Sequence, residues 1–264
     1  MKVKDYISAI LKKINTPEMR ILPGNIAFFF VLALVPIITL IAVVASYFSV
    51  SMETIISFIE SLVPNEASEI IIETISGKGF DGSIGTFNII AIFAASNGTY
   101  SLINAANTLY KVEKRDAIKD RISAFILLII LLLLIIFLLL VPMFGEKLLS
   151  LFGNNALISN LKIIYNILKW PTTIFLIYGN LKLIYTIAPS IRISSKSTTL
   201  GSIFTTIIWT IATAFFGYYL KHFANYNVLY GNLSNIIILM MWLYIISYVF
   251  VMGIAINVTN LEEK

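Results

Sequence analysis

Six apolar stretches with few or no charges dominate the pattern of hydrophobic and polar positions along this chain. A helix needs about 20 apolar residues to cross the hydrocarbon core of a bilayer. The pattern therefore predicts an all-α membrane protein with six transmembrane helices, forming a single domain over residues 1–264. The third stretch has Ser123 as its one polar residue between Ile122 and Val141, and it is predicted to face lipid broadly. The six predicted spans are 26–49, 86–110, 122–142, 166–188, 199–220 and 235–258.

The second stretch is uncharged but carries polar residues through its middle. At about 100° per residue, four of them fall within a sector of about 60°. The polar sector holds Asn97, Ser101, Asn104 and Thr108, and the roughly opposite sector holds Ala95, Leu102, Ile103, Ala106 and Leu109. We expect the polar side to face inward, leaving the apolar side able to meet lipid. The polar residues either line a substrate path or hydrogen-bond to neighbouring helices.

Amphipathic segments lie on both sides of the first span. Residues 3–14 carry apolar positions at helical spacing between lysines, which predicts a helix that lies on an anionic membrane face or packs beneath the bundle. Residues 50–85 hold six carboxylates against Lys78 and predict an acidic external cap of short amphipathic helices, which either attracts cations or is simply a solvated surface. Within the first span, Pro36 removes a backbone hydrogen bond and is predicted to kink the helix.

The positive charges predict the orientation of the spans, because Lys and Arg near span ends resist translocation. With the N-terminus inside, thirteen of the 19 basic residues fall in the two terminal segments and in the second-to-third and fourth-to-fifth loops. Both termini are therefore predicted to be cytoplasmic. This topology accounts for the net charge of +5, so no nucleic-acid partner is expected. The expected partner is the lipid bilayer, including anionic lipid at the cytoplasmic face.

Candidate chemistry is sparse in this sequence. It has no cysteine, a single histidine (His222) at an outer membrane boundary, and no cluster of acidic residues and histidine at metal-ligand spacing. We therefore predict no metal site, no cofactor and no enzymatic activity. Lys182, close to Asn180, is the one ionisable residue well inside a predicted span. It either binds an anionic ligand or extends its ammonium group to the interface.

Short motifs, in order along nearly the whole chain, resemble the YihY/BrkB family. They are Ala33 to Pro36, Asn104 to Tyr110, Tyr185 to Pro189 followed by Gly201, Tyr230-Gly231, Trp242 to Tyr244, and Gly253 to Asn257. Asn232 and Leu233 stand where the family often has glycine and serine, and the C-terminal tail is short. The resemblance implies a bacterial inner-membrane protein with six helices and both termini cytoplasmic. Members have been labelled ribonucleases, serum-resistance factors and transporters, so the resemblance carries over no catalytic residue.

Two functions fit these observations. One is a transporter or exporter of an amphipathic, lipid-linked or small ionic substrate, for which the polar side of the second span, the kink at Pro36, Asn180 and Lys182 would form the path. The alternative is a non-transporting scaffold or envelope-assembly and stress-resistance factor, in which the asparagines only join helices. The ribonuclease label finds no acid-base or metal-binding set in this sequence.

Overall fold

The computed structural model describes residues 3–47, 86–113, 116–151, 156–223 and 230–262, together with Tyr226 and a few single positions between 53 and 72. Within these residues the chain is helical and has no β-strand. The predicted external cap, residues 50–85, lies outside the described residues except for those single positions. The helices are α1 (Val3–Ile14), α2 (Pro17–Tyr47), α3 (Thr86–Leu109), α4 (Ala117–Leu151), α5 (Ala156–Ile187), α6 (Thr199–Phe223) and α7 (Ser234–Glu262), with a short 3-10 helix, Gly231–Leu233, before α7.

Each predicted span lies on one of these helices, so the all-α part of the prediction is confirmed. Three helices in the described part of the chain are long and apolar enough to cross a membrane. They are the first part of α2 (Pro17–Leu34), α6 (Thr199–His222) and α7 (Ser234–Glu262). Pro23 and Pro36 both lie inside α2, which continues through them as one helix.

α3 lies inside the bundle and packs most extensively against α2. Gly98 lies close to α2, because a Cβ added there would contact Ala33 and Phe30 of α2. Ala33 itself is fully buried. Small residues allow the backbones of two helices to approach closely, which is how membrane helices gain contact in the absence of a hydrophobic driving force. The same core continues to α5 and α7 through residues such as Leu181 and Ile254.

α1 packs against the C-terminal part of α7. Lys13 Nζ lies 2.6 Å from Glu262 Oε2, and Ile14 packs against the main hydrophobic core. The N-terminal helix therefore packs against the bundle, and its position relative to the membrane face stays a prediction. We call the end of the bundle that carries α1 and Glu262 the terminal end, and the end that carries Gly231 the distal end.

α4 has one exposed apolar side and one buried side. The exposed residues recur every three or four positions, as Ile118, Ile122, Ile126, Ile129 and Leu133. Ala124, Leu127 and Leu128 face the core. An exposed apolar stripe of this length is typical of a surface that contacts lipid or another protein. The third span therefore exposes one of its sides, and that this side faces lipid stays a prediction.

Candidate functional site

The rotation of α3 differs from the sequence prediction. The sector expected to meet lipid is in the core, where Ala95, Leu102, Ile103 and Ala106 are at most 4% exposed. Asn97, Asn104 and Thr108 are instead half-buried, on the more open side of the helix. The alanines and the two larger apolar residues fill the narrow contacts with neighbouring helices, which polar side chains would fill less well. The prediction that the apolar sector of this helix meets lipid is therefore wrong.

The hydroxyl groups of the predicted polar stripe bond within α3. Ser101 Oγ donates to the carbonyl oxygen of Gly98 at 2.6 Å, and Ser101 is buried rather than on the open side. Thr108 Oγ1 donates to the carbonyl oxygen of Asn104 at 2.8 Å. These local bonds satisfy the hydroxyl donors in an apolar environment, so neither hydroxyl needs a ligand.

Asn97 is the member of the stripe that meets a charge. Arg121 of α4 donates from Nη1 to Asn97 Oδ1 at 2.9 Å and from Nη2 to the carbonyl oxygen of Phe93 at 3.4 Å. The guanidinium carbon lies 4.0 Å from the centroid of the Phe93 ring, 5.3 Å from that of Phe125 and 5.7 Å from that of Tyr100. Stacking on an aromatic face and hydrogen bonding to fixed acceptors together define the plane of the guanidinium.

Sequence reasoning placed Arg121 in a basic loop, whereas it lies in the second turn of α4. Asp116 is the reason for the earlier start of this helix. Its Oδ1 accepts hydrogen bonds from the backbone N–H groups of Ile118 at 3.1 Å and Lys119 at 3.3 Å, as an N-cap does. An aspartate before an apolar periodic segment is a helix-start signal, and this signal would have moved Arg121 into the helix.

A buried carboxylate ties three segments together at the terminal end. Asp120, 5% exposed, accepts a hydrogen bond from Ser190 Oγ at 2.5 Å and another from Asn107 Nδ2 at 3.3 Å. Asn107 Nδ2 also donates to Ser190 Oγ at 2.7 Å, and Asn107 Oδ1 accepts from the Ser190 backbone N–H at 2.7 Å. The ends of α3 and α5 and the start of α4 are thereby fixed to one another. The sequence pattern gives no signal for Asp120, which, like Arg121, falls in the predicted loop between the second and third spans.

Residues of two of the sequence motifs meet between α5, α6 and α7. Asn257 is fully buried, and its Oδ1 accepts a hydrogen bond at 2.8 Å from the backbone N–H of Gly201, in the first turn of α6. Its Nδ2 is buried without a hydrogen-bond partner among the described residues. The hydroxyl of Tyr185 lies 2.7 Å from Thr205 Oγ1 and donates to the carbonyl oxygen of Phe250 at 2.9 Å.

Glycine is required where these helices cross. A Cβ on Gly253 would overlap the side chains of Thr205 and Tyr185, and a Cβ on Gly201 would overlap the Gly253 carbonyl oxygen and the Asn257 side chain. Pro189 is buried next to the Ser190 that bonds to Asp120. Several of the motif residues therefore serve the packing of the terminal end.

The remaining motif residues lie elsewhere. Gly231 has φ +52°, a conformation that favours glycine, at the start of the 3-10 helix beside the exposed Tyr230. Trp242 Nε1 donates to Thr213 Oγ1 at 3.4 Å, which joins α7 to α6. Pro36 is half-buried within α2.

Asn180 and Lys182 on α5 are not brought to the polar residues of α3 by any hydrogen bond that the structure describes. Lys182 Nζ lies 5.7 Å from the centroid of the Tyr178 ring, and Asn180 Oδ1 is buried without a partner in the described part of the chain. That the polar residues of α3 and α5 share one path therefore stays a prediction.

Comparison with known proteins gives matches over nearly the whole chain. A family model described as "Virulence factor BrkB" matches residues 10–264. YfkH of Bacillus subtilis (strain 168), whose name calls it ribonuclease-like, is 28% identical over 268 residues, which cover 98% of this chain and 96% of YfkH. A UPF0761 membrane protein of Photobacterium profundum is 24% identical over 271 residues, covering 98% of this chain and 82% of that protein. No solved structure matches this chain.

Proposed function

We propose, on the premise that this chain belongs to the virulence factor BrkB family of membrane proteins, that it transports or exports an amphipathic, lipid-linked or small ionic substrate. In this proposal the chain crosses the bacterial inner membrane six times, with the terminal end in the cytoplasm, as the distribution of Lys and Arg favours. Its activity is transport without catalysis.

The observation that carries this proposal is the position of Arg121 on the open side of α3. Its guanidinium bonds to Asn97 beside the exposed apolar stripe of α4. Arg121 precedes the predicted third span by one residue, but its guanidinium extends to Asn97, inside the predicted second span. A charged group among membrane helices is costly, so it is expected to serve a ligand or a pathway. Asn104 and Thr108 continue the half-buried polar side toward the terminal end. From residue 97 to residue 108 this side extends about 16 Å, at about 1.5 Å per residue.

Cysteine accessibility tests the proposal, because the natural chain contains no cysteine. Asn97→Cys and Asn104→Cys, in protein reconstituted into vesicles, are expected to react with a membrane-impermeant maleimide. Ala106→Cys is the buried control, and Ile126→Cys is the control for a lipid-facing position. Both controls are expected to remain unlabelled. Protection of positions 97 and 104 to the level of Ile126→Cys would refute a water-accessible path along α3.

A non-transporting scaffold is the second candidate, and one observation favours it. The network of Asp120, Asn107 and Ser190 bonds inward and ties helix ends together, as expected of a protein whose polar residues only hold the bundle. In the same labelling experiment a scaffold predicts uniform protection. The two candidates therefore give opposite results at positions 97 and 104.

A further inference from the structure

We propose that Arg121 binds the phosphate group of an anionic lipid or lipid-linked amphiphile whose acyl chains lie along the exposed apolar side of α4. This inference rests on the proposed function and deepens it, because it names the substrate class of the same site. The contacts of Arg121, its charge and its apolar surroundings each support it.

The first support is the direction of the side chain. Asp120 and Arg121 are consecutive, yet Asp120 contacts Asn107 while Arg121 contacts Asn97 and the carbonyl oxygen of Phe93. At about 1.5 Å per residue, positions 97 and 93 lie about 15 and 21 Å further along α3 than position 107. An arginine near a span end usually extends toward the water at that end. Arg121 extends the other way, toward the middle of α3.

The second support is a charge that no described carboxylate compensates. Among the described residues, no carboxylate lies within salt-bridge distance of Arg121; the ion pairs there are those of Lys13 with Glu262 and Lys119 with Asp116. The guanidinium has more N–H donors than the two neutral acceptors can use, and the contact with Phe93 is long. A phosphate accepts two parallel hydrogen bonds from a guanidinium, so it supplies both the charge and the missing acceptors.

The third support is the apolar surface around the charge. Phe93 is 56% exposed, and Ile118 and Ile122, on either side of Arg121 along α4, are 73% and 54% exposed. The exposed stripe continues along α4 to Ile126, Ile129 and Leu133. A free phosphate would use the charge and leave this stripe unoccupied. An amphiphile uses both, with its headgroup at Arg121 and its chains along α4.

Native mass spectrometry of the full-length protein in detergent tests the inference. The protein is titrated with phosphatidylglycerol and, separately, with phosphatidylcholine of the same acyl chains. We expect wild-type protein to retain phosphatidylglycerol about tenfold more strongly, and Arg121→Gln to reduce that preference to about one. Lys119→Gln is the matched control, since it removes an exposed positive charge two positions away on the same helix, and it is expected to keep the preference.

Two further arms, together with the comparison between Arg121→Gln and Lys119→Gln, separate the possible outcomes. Arg121→Lys keeps the charge without the planar fork and is expected to retain part of the preference, which shows that a loss in Arg121→Gln does not come from misfolding. Addition of inorganic phosphate at millimolar concentration is expected to leave bound lipid in place; displacement would mean a free-phosphate site and would overturn the inference. An equal loss of preference in Arg121→Gln and Lys119→Gln would also overturn it, because it would show nonspecific attraction.

The lipid-binding experiment and the cysteine-accessibility experiment can fail independently of each other. If Asn97→Cys reacts with the water-soluble reagent but the lipid preference does not depend on Arg121, transport stands with another class of substrate. If the preference depends on Arg121 but positions 97 and 104 are fully protected, the lipid is a structural partner and the transport proposal fails.

Discussion

Gly201 of α6 lies against the backbone of α7, so its replacement by alanine tests the packing of the terminal end. The added Cβ would overlap the carbonyl oxygen of Gly253 and the side-chain amide of Asn257. A carbonyl oxygen within α7 cannot move aside unless the helix shifts. Such a shift would also disturb the 2.8 Å hydrogen bond from the Gly201 N–H to Asn257 Oδ1.

The expected magnitude follows from three effects. Overpacking a tight contact costs about 1–3 kcal/mol. Loss of a buried hydrogen bond adds about 1 kcal/mol, and the higher helix propensity of alanine offsets about 1 kcal/mol. We therefore expect the free energy of unfolding to fall by about 2 kcal/mol. For a chain of this size, that corresponds to a melting temperature lower by about 4–8 °C.

Gly217 provides the matched control on the same helix, since nothing described lies within 4 Å of a Cβ added there. Gly217→Ala is expected to keep or slightly raise the melting temperature. Both variants are heated in detergent, and the fraction remaining monodisperse is measured by size-exclusion chromatography. Equal melting temperatures for Gly201→Ala and Gly217→Ala would refute the close contact between α6 and α7.

Three more predictions concern the terminal end. Asp120→Ala removes the buried acceptor of Ser190 Oγ and one of the two acceptors of Asn107 Nδ2, and it is expected to lower the free energy of unfolding by about 2 kcal/mol in the same melting assay. Lys111 has φ 53°, in the left-handed region, so Lys111→Gly is expected to raise this free energy by about 1 kcal/mol. The backbone N–H of Lys119 lowers the pKa of Asp116. The stabilisation by this cap is therefore present above the ordinary pKa of aspartate and is lost as the pH falls through the lowered value, which a series of melting curves at decreasing pH measures.

Each of these three predictions is checked against a second variant. Asp116→Ala removes an exposed cap and is expected to cost less than Asp120→Ala; the reverse order would contradict the role of the buried network. Lys111→Ala keeps the strain that Lys111→Gly relieves, so equal stability of the two variants would contradict the strained conformation. Asp116→Ala is expected to remove the part of the stability loss at low pH that comes from the Asp116 cap. If the melting temperature of this variant depends on pH as that of the wild type does, the stability loss comes from other groups.

The helices follow from sequence because apolar length and helix-start residues are local properties. Residues 86–110 and 199–220, for example, are recovered nearly to their ends as α3 and α6. The rotation of α3 was not recovered. Periodicity gives the angle between Asn97 and Ala106 around the helix axis. In a membrane, however, an apolar side chain is stable both against lipid and in the protein core, so the angle does not show which side faces inward. Which side faces inward is decided by the close contact of small residues such as Gly98 with α2.

The candidate site was recovered in part. The position of Asn97 in an uncharged stretch predicts it as a candidate, and Asn97 does meet a charged partner. Arg121 was missed because a count of positive charges treats every basic residue near a span end as part of a loop. The direction of a long side chain depends on acceptors 24 and 28 positions away in sequence, Asn97 and the Phe93 carbonyl. Such a contact has no local signature.

The ion pair between Lys13 and Glu262 also constrains how the chain threads the bilayer. Two residues whose charged atoms lie 2.6 Å apart must be on the same side of the membrane. The chain between them therefore crosses an even number of times. The three helices that qualify by length and hydropathy, in α2, α6 and α7, make an odd number, so when all three cross, at least one of the other helices must cross as well. The parity of the topology is thus set by a contact between the two ends of the chain, independently of its hydropathy and of its positive charges.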